Sequence, residues 1–173
     1  MKIALGVVAA LLIAASLVYV IGARLPVKHT VSQQMMFKLS PDQVWSVIAD
    51  FPTYAEWRKS VIAVEKLPDI NGHSVWKEVE KGGGGLQYET LAITPSRELV
   101  RRIAGEGLPF GGTWTFRLAP HDQGMTLTIV EDGEIYNPVF RFVARYLMGY
   151  QKSMQTYFSD LEGRLCPAEI CKS

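Results

Sequence analysis

What the chain has little of narrows the reading first. It has two cysteines, Cys166 and Cys171, both within its last eight residues, so no disulfide framework and no four-cysteine zinc site can organise the fold. The three histidines, His29, His73 and His121, are scattered. None sits beside a cysteine or serine motif that would pair a nucleophile with a base, and no two have metal-ligand spacing. They read as three solvated side chains, and no metal or other cofactor is expected. No run of like charge occurs: 18 basic residues face 17 acidic ones for a net charge of +1. A nucleic-acid partner therefore has no electrostatic footprint. Residues 82–85 and 105–107 are rich in glycine, but no Gly-Lys-Ser/Thr follows and no helix opens after either, which argues against a phosphate loop. They read as positive-φ turns and flexible rims to a cavity mouth.

What is present begins with residues 3–23, a 21-residue stretch with no charged side chain. As a helix it spans about 31 Å, close to the ~30 Å hydrocarbon core of a bilayer. A cleaved secretory signal is the alternative. Lys2 gives the basic start and Ile21-Gly22-Ala23 a passable cleavage site, but such signals have apolar regions of roughly 7–15 residues. The length favours an uncleaved single-pass anchor over residues 1–24. Lys2 on one side and Arg24 and Lys28 on the other give the positive-inside rule little to act on; a short tail inside with the domain exported is the commoner arrangement. Removing Lys2 and Arg24 leaves 16 basic against 17 acidic residues on a remainder of about 150, the size of one domain. Cys166 and Cys171, in a tail over 166–173, could close a small loop in an oxidising compartment or remain two thiols.

Residues 25–30 read as a tether, with Pro26 ending the membrane helix. A strand over 31–39 follows. Ser40 then caps a helix over 41–50, with Pro41 at its first position and Gln43 completing a capping box. A short helix over 52–57 comes next. From Ser60 the period changes, and strand-like runs over 61–67, 74–81, 86–94, 98–104, 113–119 and 125–135 are separated by hairpin-length breaks, the pattern of an antiparallel meander. Trp114, Phe116 and Leu118 share one face; Met125, Leu127 and Ile129 share another. Asn137-Pro138 opens a last helix. Phe140, Val143, Leu147, Tyr150, Met154, Tyr157, Leu161 and Leu165 repeat at three- and four-residue steps, which predicts one apolar stripe running to residue 165. The sum is an α+β arrangement, a curved antiparallel sheet of about seven strands around a long C-terminal helix. A strongly bent sheet cannot meet such a helix everywhere, and the layout leaves room for an apolar cavity.

Three phrases carry a family resemblance: residues 37–45 (Phe-Lys-Leu-Ser-Pro-Asp-Gln-Val-Trp), residues 50–57 (Asp-Phe-Pro-Thr-Tyr-Ala-Glu-Trp) and residues 131–138 (Glu-Asp-Gly-Glu-Ile-Tyr-Asn-Pro). With the element order, they resemble the START-like or SRPBCC superfamily, particularly its polyketide cyclase/dehydrase and lipid-transport branch, over residues 31–165. The resemblance implies the helix-grip fold. It is poor in function, because that superfamily spans lipid carriers, hormone receptors, aromatase/cyclases and members without known activity. The leading apolar segment is not part of the family pattern and shifts the expectation toward work at a membrane.

Aromatic residues are spread over every element that could face a cavity, and most are expected in ordinary core. Tyr54, Trp57 and Phe110 are the first candidates to line its opening. Trp76, Tyr88, Trp114, Phe140 and Tyr150 complete the expected ligand-binding set. Glu131 is the one candidate acid. If the alternation from Met125 continues, Glu131 points inward, with a raised pKa or a cationic partner such as Arg102; a bulge or the strand end turning it to water is the more ordinary outcome. The leading expectation is a tethered domain that binds a hydrophobic small molecule or lipid. An acid/base enzyme using Glu131 is the alternative, and a structural or interaction module with a collapsed cavity is the third. Nothing in the sequence names a protein partner.

Overall fold

Proline-led helix starts and alternating apolar positions build what their chemistry favours. The computed structural model describes residues 2–105 and 107–166. Helix α1 (Lys2–Arg24) precedes strand β1 (Lys28–Phe37), helix α2 (Pro41–Ile48), a 3-10 turn (Phe51–Thr53) and helix α3 (Tyr54–Trp57). Six strands follow, β2 (Val61–Ile70), β3 (His73–Glu80), β4 (Gly85–Thr94), β5 (Glu98–Ala104), β6 (Phe110–His121) and β7 (Gly124–Ile135). They form one antiparallel sheet in the order β1-β7-β6-β5-β4-β3-β2. Five successive hairpins make the meander. β1 closes onto β7, and α2 and α3 carry the chain from one sheet edge to the other.

The capping box at α2 forms as the sequence predicts: Gln43 N donates to Ser40 Oγ (3.3 Å) and Ser40 N donates to Gln43 Oε1 (2.9 Å). Its buried face, Val44 and Ile48, meets Leu118, Met125, Leu127 and Ile129 from the sheet, together with Met154, Phe158 and Leu161 from the last helix, in one core. Each such fully buried side chain contributes roughly 1.5–3 kcal/mol.

The C-terminal helical stretch is divided, where the sequence predicts one continuous rod. Helix α4 (Pro138–Val143), capped by Asn137 Oδ1 accepting from Val139 N (2.9 Å), passes into a π-helical turn (Ala144–Met148). Helix α5 (Lys152–Leu165) starts afresh. The cause is Gly149, at φ 77° and ψ 145°, a conformation that side chains with a Cβ avoid. Its N–H reaches back to Ala144 O (2.9 Å) and closes the wider turn. Only the α5 half of the predicted stripe is buried, through Met154, Tyr157 and Leu161, and Phe158, outside that stripe, is buried with them. Phe140 and Leu147 are exposed.

Helix α1 ends where Pro26 predicts. It packs chiefly on α4 and is otherwise uncovered along its apolar length. The contact is at backbone distance: a Cβ on Gly22 would lie 1.9 Å from Pro138 O. β1 begins at Lys28, so His29 and Thr30 belong to the sheet and not to a tether.

Candidate functional site

Because α4 is drawn onto α1 while α5 packs on the sheet, the space between them is not filled. A cavity of about 450 Å³ results, walled by Leu86, Tyr88 and Ile103 on the sheet side and by Phe140, Val143, Ala144 and Met148 on the helical side. Phe110, Trp114 and Tyr150 complete its aromatic lining. The volume falls within the ~300–1,000 Å³ typical of small-molecule sites.

Its polar groups are few: Glu134 is held by Lys28 and Tyr136, and His29 and Glu131 come together. In the β1–β7 register His29 stands opposite Gly133 and Val31 opposite Glu131. Directly paired residues present their side chains to the same face, so His29, Glu131 and the bare Gly133 share one surface. The His29 ring occupies the room that Gly133 leaves: a Cβ there would lie 2.4 Å from it. The ring stacks on Tyr150, centroids 4.1 Å apart, and His29 Nε2 lies 3.6 Å from Glu131 Oε1. Glu131 Oε2 is buried without a hydrogen-bond partner. Burial pushes the Glu131 carboxyl above the ordinary carboxylate range, and hydrogen bonds from Trp114 and Ser153 offset part of that rise. Burial likewise holds His29 below the usual imidazole value. Both shifts favour the neutral forms, so desolvation outweighs the mutual attraction of the charged pair. A carboxyl and an imidazole placed side by side can donate to, accept from, or exchange a proton with a guest.

A smaller hollow of about 260 Å³ adjoins, sharing Leu86, Tyr88, Trp114 and Ser153 with the first. Arg58 and Arg101 line it, and the buried Glu78 joins them. Glu78 accepts from Arg58 Nη1 and from Arg101 Nη1, the latter at 2.7 Å. The Arg101 guanidinium lies 4.3 Å from the Phe51 ring centroid and 4.5 Å from that of Tyr88. Burial raises the Tyr54, Tyr88 and Tyr157 phenols above their ordinary value, so all three stay protonated.

Of the aromatic residues predicted to line a ligand site, Tyr88, Phe110, Trp114, Phe140 and Tyr150 face the cavity, as does Glu131. Tyr54, Trp57 and Trp76 do not. Tyr54 and Trp57 are core residues, since α3 turns its rings onto α5: Trp57 meets Tyr157 edge-on at 5.4 Å. Trp76 packs on Phe51 at 5.9 Å. The strand alternation carries through to Glu131, which is turned inward and not to water. Arg102 is not its partner; it binds Glu89 Oε2 at 2.6 Å, with His73 Nδ1 2.7 Å from the other oxygen. Of the three histidines expected in solvent, His29 is in the cavity wall. The signal that would have found it is the glycine opposite, visible only once the register is known. Among the described residues no group of His, Cys, Asp and Glu is placed to hold a metal ion. The pairing of Cys166 with Cys171 lies outside the described residues.

A family model described as polyketide cyclase / dehydrase and lipid transport matches residues 28–158. No curated protein matches by sequence. Among solved structures the chain is similar to the Zhui aromatase/cyclase from Streptomyces sp. R1128, with 15% identity and a TM-score of 0.62, covering 80% of this chain and 93% of that one. A START superfamily protein from Mycobacterium smegmatis aligns at 17% identity and a TM-score of 0.60, covering 79% and 97%. A point mutant of norcoclaurine synthase from Thalictrum flavum aligns at 8% identity and a TM-score of 0.63, covering 80% and 94%. At these identities the likeness is one of fold.

Proposed function

The chain belongs to the polyketide cyclase/dehydrase and lipid transport family, and from that premise we propose that it is a membrane-tethered domain that holds a hydrophobic small molecule or lipid between sheet and C-terminal helices. The observation that carries this reading is the largely apolar cavity of about 450 Å³, with His29 and Glu131 side by side among its few polar groups. Such a lining rewards burial of an apolar guest by roughly 25 cal/mol for each Å² removed from water. The polar cluster fixes which end of the guest goes where. Helix α1, long and apolar enough to cross a bilayer, supports the tether, with the folded domain on the exported side.

The test is native mass spectrometry of the full chain, gently extracted from membranes, together with uptake of a fluorescent fatty-acid probe. Saturable uptake, abolished by Ala144→Trp across the cavity wall, is the expected result. Neither a co-purified molecule nor uptake by the delipidated protein would reject it. A second reading, an acid/base enzyme of the cyclase/dehydrase type, is favoured by the orphaned Glu131 Oε2 beside His29. Under it, Glu131→Gln retains the guest but loses turnover.

A further inference from the structure

The segment from Pro138 to Met148 leaves a band of apolar side chain uncovered. Tyr146, Leu147 and Met148 are consecutive and 57%, 72% and 58% exposed, and Val139 and Phe140 extend the band along α4. Contiguous apolar surface of this kind marks a site of contact with something other than water. Its neighbour identifies the contact. Val18 and Gly22 are the positions of residues 4–23 that lose exposure, and α4 is the element packed there. Val18 precedes Arg24 by six residues, so α4 lies beside the apolar run to a depth of roughly 9 Å. That matches the ~5–10 Å at which amphipathic helices settle into a bilayer surface. Charge agrees: residues 138–159 include Arg141, Arg145 and Lys152 and no acidic residue. The long stems of Arg145 and Lys152, both exposed, can carry their cations to lipid phosphates.

We infer that α4 and the π-helical turn form a membrane-contacting surface, in which Phe140, Leu147 and Met148 enter the bilayer that holds α1. Phe140, Val143, Ala144 and Met148 wall the cavity, so its mouth opens onto lipid and not onto water. The inference rests on α1 as an anchor and is independent of what the cavity holds.

The experiment uses the full chain reconstituted in phosphatidylcholine–phosphatidylglycerol vesicles, with a benzophenone amino acid introduced as Leu147→p-benzoylphenylalanine or as Tyr146→p-benzoylphenylalanine. Ile93, exposed at the far end of β4, serves as the water-facing comparison and Leu11, exposed in α1, as the lipid-facing one. On irradiation, lipid adducts at 147 and 146 approaching those at 11, with none above the dark control at 93, are expected. Labelling at 11 without labelling at 147 and 146 overturns the inference and leaves the anchor intact. Adducts at 147 made only to a second protein chain overturn it in favour of a protein interface. No labelling at 11 overturns both it and the anchor, whatever fatty-acid uptake shows.

Discussion

His29 and Glu131 meet across the β1–β7 pairing, ring nitrogen to carboxylate oxygen 3.6 Å apart, over a residue that has no side chain. The glycine between them is what lets an edge-strand histidine lie flat on the sheet and close one side of the cavity.

Their titrations act on stability with opposite signs. The folded protein holds the Glu131 proton more tightly than the unfolded chain, whose value is near 4.5. The wild-type protein therefore loses stability as pH rises from that value through the raised folded one. Glu131→Gln removes this loss, so its stability relative to wild type should grow with pH across the window. For His29 the folded value lies below 6.5; stability is lost as pH falls from 6.5 through the folded value, and His29→Gln should flatten that limb. Urea midpoints measured from pH 4 to 8 check both slopes.

Gly133→Ala should evict the histidine ring. The new methyl would lie 2.4 Å from it, and the ring can swing outward where the backbone cannot. Freed from its buried stack on Tyr150, His29 should titrate closer to 6.5 than it does in the wild-type protein. Its ring-proton chemical shifts, followed against pH, report the change. An unaltered titration would mean that the ring keeps its place by some other support.

Glu78→Gln should be far more damaging than any change in the cavity lining. It leaves the Arg58 and Arg101 guanidiniums side by side without the carboxylate that joins them. Removing one partner from a buried ion network costs about 3–5 kcal/mol. At about 2–4 °C per kcal/mol for a domain of this size, Tm should fall on the order of 10 °C in thermal denaturation.

Gly149→Ala isolates the backbone cost of the helix break, since nothing lies within 4 Å of where the Cβ would stand. A loss of about 1–3 kcal/mol is expected, without a gain in helical circular dichroism, because α1 holds α4 in its direction. A gain in helicity with loss of fatty-acid uptake would show instead that the two halves can merge and fill the cavity.

The strands were legible to within a few residues because hairpin gaps and alternation are local signals. The helix caps were legible for the same reason. The division at Gly149 was not, since Phe140, Val143 and Leu147 keep helical spacing across the segment, and spacing does not distinguish a face turned to the core from one turned outward. His29 was misread for another cause: its neighbours in space, Gly133 and Tyr150, are set by strand register and by the path of the helix after its break. Tyr54 and Trp57 went to the core, where a four-residue helix had more to gain from stacking on Tyr157 than from facing a void. Glu131 was the one polar residue whose direction alternation alone could give.

Only Leu25, Pro26 and Val27 separate α1 from β1, and they are tied at both ends: Leu25 N donates to Gly22 O (3.2 Å) and Ile135 N donates to Val27 O (2.9 Å). So short a strap keeps the folded part close against the end of α1. With α1 set in a bilayer, as proposed, a domain held this close would meet its guest in two dimensions, and its occupancy would follow the surface density of that guest more than any bulk concentration.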